Sequence, residues 1–149
     1  MDRRAAVRRL EIGDVSLAKQ LFALFAAVFE TDHTEVSNDY AAELLARPEV
    51  WAYAATLDDV VIGGLTAHTL PMTRSESAEI FLYDLAVDTS AQRRGIGRQL
   101  IARLVADAAA TGIDVVFVPA DNDDTHALDF YRAIGGRPAE VTIFDLGAE

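Results

Sequence analysis

Cysteine is absent from this chain of 149 residues, which excludes disulfides, thiolate metal sites and a cysteine nucleophile. Lysine is scarce as well: Lys19 stands alone, so basic chemistry falls to arginine. No apolar run approaches the ~20 residues that a membrane-spanning helix needs, and no internal repeat or low-complexity segment interrupts the chain. The N-terminal stretch carries arginines but no apolar run followed by a small-residue cleavage site, so no secretory signal is read and a cytoplasmic location is expected. Positive charge is in deficit: 13 basic residues face 24 acidic ones, for a formal net charge of -11. Such a surface repels nucleic-acid phosphates and attracts cations. Hydrophobic residues make up 51% of the sequence, enough for one domain over residues 1–149 with a real core.

Periodicity supplies the elements. Residues 5–10 suit a first strand. Asp14 offers an N-cap, and Leu17, Ala18, Leu21, Phe22, Phe25, Val28 and Phe29 recur at helical spacing, so a helix with one apolar face runs to about Glu30. A polar stretch with Glu30, Asp32, His33 and Glu35 leads to a second helix over residues 40–46, closed by Pro48. Residues 50–57 and 60–70 read as a hairpin turned at Asp58-Asp59, and Gly63-Gly64 inside its second strand marks a bulge or a close backbone approach. Residues 80–87 are apolar on both faces except for Asp84, as in a covered central strand. An amphipathic helix over residues 97–110 then crosses to a buried strand at 115–120, parallel to 80–87 because such crossovers are right-handed. An acidic loop, a helix over 125–134 ending at Gly135-Gly136, and an alternating strand at 140–146 complete the chain.

The stretch from residue 80 to 98 organises the rest. A strand feeds a helix through Gln92-Arg93-Arg94-Gly95-Ile96-Gly97, where unpaired N–H groups and the helix dipole favour an anion, and Arg93, Arg94 and Arg98 add the same sign. A pyrophosphate suits this turn. The dinucleotide fingerprint G-x-G-x-x-G after a first strand is missing, and a Walker loop would need a lysine there. The remaining pattern, Gln92-x-x-Gly95-x-Gly97, resembles the pyrophosphate signature of the GNAT superfamily of acetyl-CoA-dependent N-acetyltransferases. Leu85-Ala86-Val87 upstream and Asp124-x-x-Ala127-x-x-Phe130-Tyr131-x-x-x-Gly135 downstream extend the likeness over roughly the last seventy residues. Residues 62–71, Tyr83 to Val87, Ala120-Asp121 with Asp123-Asp124, and Phe144-Asp145 are similar to the type I aminoglycoside 3-N-acetyltransferases. Asp124 departs from the superfamily's asparagine but agrees with that narrower family, and Gly136 replaces the common aromatic.

The resemblance implies a single-domain α/β (α+β) fold, with a mixed central sheet of about six to seven strands and about four helices on its two faces. It implies direct attack of a substrate amine on the acetyl-CoA thioester, with the 3-amino group of an aminoglycoside as the expected acceptor. The N–H and C=O groups around Leu85, Ala86 and Val87, freed by a splay from the 115–120 strand, would pair with the pantetheine and polarise the acetyl carbonyl. Gln92, Arg93, Arg94, Gly95, Ile96, Gly97 and Arg98 would hold the pyrophosphate, with Asp124 and Ala127 completing the cofactor side. Tyr131 is the implied general acid, with hydrogen-bonded packing as the alternative. Asp84 is expensive in an apolar run, and the readings open to it are proton acceptor, anchor for a cationic substrate, or satisfied structural carboxylate. Tyr83, Asp32, Glu35, Asp121, Asp123 and Glu140 are the expected substrate wall for a polycationic amine. His33, His68 and His126 have no metal-ligand spacing, so no metal is expected. The superfamily also points to a homodimer. Other readings are a transferase for a polyamine or a protein N-terminus, and a coenzyme A-binding module without turnover.

Overall fold

Five strands and four α-helices account for most of the chain in the computed structural model, which describes residues 4–32 and 34–147. In chain order they are β1 (Ala6–Arg9), α1 (Val15–Val28), α2 (Asn38–Ala46), β2 (Val50–Leu57), β3 (Val60–Pro71), β4 (Ala78–Val87), α3 (Ile96–Ala110), β5 (Val115–Phe117) and α4 (Thr125–Ala133). By contacts the chain divides into two compact units, Met1–Pro119 and Ala120–Glu149.

The first unit holds a mixed sheet in the order β1-β2-β3-β4-β5. The first four strands pair antiparallel, and β5 runs parallel to β4, as the crossover through α3 requires. Asp58 and Asp59 turn the β2–β3 hairpin with φ of 51° and 64°, the left-handed pair of a two-residue type I′ turn. The sheet separates two apolar clusters. On one face Tyr53, Leu65, Ile80 and Leu82 pack against Leu100 and Leu104 of α3. On the other, Ala52, Ala54, Val61 and Ala86 pack against Ala18, Leu21 and Phe25 of α1. Gly64 is where α1 comes closest. A Cβ there would lie 2.3 Å from Leu21 Cδ1 and 2.5 Å from the Tyr53 carbonyl oxygen, so the glycine serves helix-on-sheet packing.

One polar contact fastens α3 to the sheet. The buried Tyr53 hydroxyl donates to Asp107 Oδ2 at 2.7 Å, and Arg103 Nε reaches the same oxygen at 3.2 Å, joining β2 to α3. Asp14 does not cap α1 with its side chain as expected. Its carboxylate is taken instead by the Arg8 guanidinium and by the Glu11 N–H at 2.7 Å.

The sheet has five strands among the described residues, short of the expected six to seven. β5 stops at Phe117, ahead of Pro119, which has no N–H to give a ladder. In the second unit α4 is followed by residues 137–146 with no strand, although an alternating strand is expected at 140–146; Val141, Ile143, Phe144 and Leu146 are 76%, 72%, 77% and 95% exposed. Alternation reports which side chains would share a face, but a strand also needs a neighbour for its backbone groups.

Candidate active site

The glycine turn follows the end of β4 as the sequence indicates. A 3₁₀ turn, Thr89–Ala91, leads to Arg93 and Gly95 in the left-handed region at φ of 67° and 76°, and α3 starts at Ile96. The first backbone hydrogen bond of α3 runs from the Gln99 N–H to the Gly95 carbonyl at 3.0 Å, so the N–H groups of Ile96, Gly97 and Arg98 have no acceptor in the helix. No side chain caps this end, and nothing lies within 4 Å of where a Gly95 Cβ would be. Arg93, Arg94 and Arg98 are exposed around it. This is a cradle that fits the pyrophosphate of a coenzyme A: backbone donors, helix dipole and cationic side chains converge on open space. Gln92 acts differently, since its Nε2 donates to the Val87 carbonyl at 3.1 Å and ties the turn back to the strand.

The pairing of β4 with β5 is short. Their register covers only Glu79↔Val115, Ile80↔Val116 and Phe81↔Phe117, while β4 continues to Val87. The Asp88 N–H bonds the Ile62 carbonyl of β3 at 2.7 Å, so by the alternation of an antiparallel ladder Ala86 also faces β3. Leu85 and Val87 therefore turn their backbone groups toward the open edge. With the Val87 carbonyl engaged by Gln92, the outward groups left are both of Leu85 and the Val87 N–H.

Asp84 reaches its face through an irregularity that the sequence hides. Thr66 pairs with Asp84 but Ala67 pairs with Leu82, so Tyr83 is an extra residue bulged out of β4. Below the bulge Ile80 and Leu82 point to the α3 side; above it Leu85 and Val87 do, and Ala86 joins the α1 cluster. Consecutive residues Tyr83 and Asp84 thus share the α1 face, along with His68 of β3. Asp84 is half-buried, and burial raises its pKa above the ordinary carboxylate value, with the nearby His68 pulling weakly the other way. His68 packs edge-on against the Tyr83 ring at 5.4 Å, and Tyr83 is 62% exposed.

Two acidic residues of the expected wall, Asp32 and Glu35, lie in the chain between α1 and α2. Asp32 is exposed, and Glu35 Oε1 pairs with Lys19 Nζ at 3.0 Å, which also donates to Asn38 Oδ1 at 2.9 Å. Lys19, Glu35 and Asn38 line a cleft of about 600 Å³ between α1 and the start of α2. His33 lies outside the described residues.

Within the second unit, Asp121, Asp123 and Glu140 are exposed, and Ala127 is half-buried on α4. Asp124 caps α4 by accepting the Ala127 N–H at 3.0 Å. Tyr131 lies one ring from Phe130, at 5.2 Å between centroids. Burial, and then the Asp124 carboxylate, raise the Tyr131 pKa, so its phenol stays protonated at neutral pH. Gly135 at φ of 100° ends the helix, and the Gly136 N–H bonds the Tyr131 carbonyl at 2.8 Å, a Schellman closure. A Cβ at Gly136 would sit 2.7 Å from that carbonyl oxygen, which accounts for glycine where the resembled family has an aromatic.

Sequence reasoning passed over His68, Phe81 and Phe117. A run read as apolar on both faces carries no face assignment, and the bulge at Tyr83 shifts the alternation within it. The signal available was the pair of consecutive polar-capable residues, Tyr83-Asp84, inside an otherwise apolar strand.

Comparison with known proteins adds to this geometry. The model of the acetyltransferase (GNAT) family matches residues 18–135. The chain is 35% identical to an aminoglycoside acetyltransferase from an uncultured soil metagenomic sample, solved in complex with trehalose, with a TM-score of 0.93 and 97% of each chain covered. A complex of that enzyme with sisomicin gives a TM-score of 0.92 at 34% identity, again over 97% of each chain. An uncharacterized N-acetyltransferase of Bacillus subtilis (strain 168), YvbK, is 32% identical over 101 residues, which span 68% of this chain and 61% of that relative's length.

Proposed function

This chain belongs to the acetyltransferase (GNAT) family, and from that premise we propose that it moves an acetyl group from acetyl-CoA to an amine of an aminoglycoside, with the 3-amino group as acceptor. The observation that carries the substrate reading is the likeness, over nearly the whole length of both chains, to an aminoglycoside acetyltransferase solved with sisomicin. The likeness of the Tyr83 to Val87 stretch to the 3-N-acetylating family supports the choice of nitrogen. Cytoplasmic action fits a reaction that consumes acetyl-CoA, and among the described residues no helix is long and apolar enough to cross a membrane.

Each residue then has a task. The N–H groups of Ile96, Gly97 and Arg98 hold the pyrophosphate, and Arg93, Arg94 and Arg98 neutralise the outer phosphates. The outward groups of Leu85 align the pantetheine, while the Val87 N–H donates to the acetyl carbonyl as negative charge develops on its oxygen. One such donor is worth roughly 3 kcal/mol in a transition state. Asp84 holds the substrate ammonium and takes its first proton, directly or through water, which frees the lone pair for attack. As the nitrogen bonds to the carbonyl carbon and the carbon–sulfur bond breaks, Tyr131 gives its proton to the departing thiolate, and the second proton lost by nitrogen restores the phenol through water. Asp32, Glu35, Asp121, Asp123 and Glu140 add negative potential for a polycation.

Thiol release from acetyl-CoA, followed against a panel of aminoglycosides and linear polyamines, tests this. Saturable release with aminoglycosides is the expected result. Release with polyamines or a peptide N-terminus alone transfers the chemistry to another amine, and no release with any amine leaves a coenzyme A-binding module.

A further inference from the structure

Four aromatic side chains form a row across the sheet beside Asp84. His68 of β3 meets Tyr83 of β4 at 5.4 Å between ring centroids, Tyr83 meets Phe81 at 5.8 Å, and Phe81 meets Phe117 of β5 at 5.1 Å. Strand pairing explains the row, since His68 is registered with Phe81 and Phe81 with Phe117. The bulge at Tyr83 lets that ring and the Asp84 carboxylate occupy the same face on consecutive residues. Strands ~4.8 Å apart spread ring surface over ~10 Å from β3 to β5. Tyr83 stands 62% exposed, whereas a large aromatic on a central strand ordinarily finishes in the core.

We propose that His68, Tyr83, Phe81 and Phe117 form a shelf that receives the apolar C–H face of an aminosugar or aminocyclitol ring, leaving one of its ammonium groups against Asp84. The inference rests on the aminoglycoside reading above and deepens it, by naming what recognises the rings rather than the charges. One chemical fact favours this occupant over a linear polyamine. A saturated six-membered ring with equatorial substituents presents flat C–H surfaces, which pack on aromatic rings, and aromatic faces attract the adjoining ammonium groups. A carboxylate at the border of the row gives that ring one charged anchor, and the chain's net charge of -11 suits a polycation. The carboxylates account for affinity to any polycation; the shelf accounts for discrimination among them.

Calorimetric binding of sisomicin and of spermine to the full chain, for the parent, Tyr83→Ala and Tyr83→Phe, decides the matter without requiring turnover. Tyr83 is chosen because its exposure makes loss of fold an unlikely confounder, and circular dichroism of each variant checks this. The shelf predicts that Tyr83→Ala weakens sisomicin about three- to tenfold, leaves spermine and coenzyme A within twofold, and that Tyr83→Phe keeps parental affinity. Equal sisomicin affinity in Tyr83→Ala, or equal losses for sisomicin and spermine, overturns it, as does a parent that binds no sisomicin. Binding with the predicted discrimination but no thiol release would keep the shelf and reject the transferase reading instead.

Discussion

At the scale of single residues the proposed chemistry rests on Asp84 and Tyr131, and burial raises the pKa of both. Burial raises the Asp84 pKa, so the native state holds that proton more tightly than the unfolded chain does. Stability from this site is therefore present below the unfolded value of ~3.9 and is lost as pH rises through the folded value. A carboxylate kept at such a cost is expected of a working group. Asp84→Asn should lower turnover about 100-fold, yet unfold no more easily than the parent at pH 7, with any gain in stability vanishing at pH 3; thermal melts at both values check this. A clear loss of stability at pH 7 would return Asp84 to a structural role. Tyr131→Phe should likewise lower turnover about 100-fold while leaving the acetyl-CoA KM within twofold, as steady-state kinetics would record. The oddity of Asp84 was legible in the sequence, because a lone carboxylate in an apolar strand is rare. Its face was not, because an extra residue at 83 shifts the alternation only once pairing is known.

At the scale of elements, motif and periodicity carried most of the information. The helix starting just after Gly95, the β2–β3 hairpin at Asp58-Asp59 and the parallel β5 all follow from turn chemistry, helical spacing and crossover handedness. The run at 140–146 did not become a strand, since alternation gives no guarantee of a partner. Gly63-Gly64 signalled a bulge or a close approach; the β2–β3 register shifts beside Gly63, and Leu21 of α1 comes near Gly64. Gly64→Ala should cost about 2 kcal/mol in a urea melt, because the new methyl meets both Leu21 and the Tyr53 backbone and must shift α1 off the sheet. Gly63→Ala, whose nearest neighbour is 3.2 Å away, should cost less. Equal and negligible effects would mean that α1 slides freely at this seam.

For the whole molecule, charge and cofactor cradle divide the labour. On the proposed reading, the net charge of -11 serves to attract a polycation and the cationic patch at Arg93, Arg94 and Arg98 to receive a polyanion, so two substrates of opposite sign would meet different potentials on one chain. Composition alone reveals the first, and the Gln92-x-x-Gly95-x-Gly97 turn the second. Neither names the nitrogen that is acetylated, since regiochemistry depends on how rings are held and not on how much charge attracts them. The most direct measurement is therefore NMR of the product formed from acetyl-CoA and sisomicin by the purified protein. The account predicts one new acetyl group on the 3-amino nitrogen with one equivalent of free coenzyme A; an acetyl group on another nitrogen, or an unchanged aminoglycoside, would contradict it.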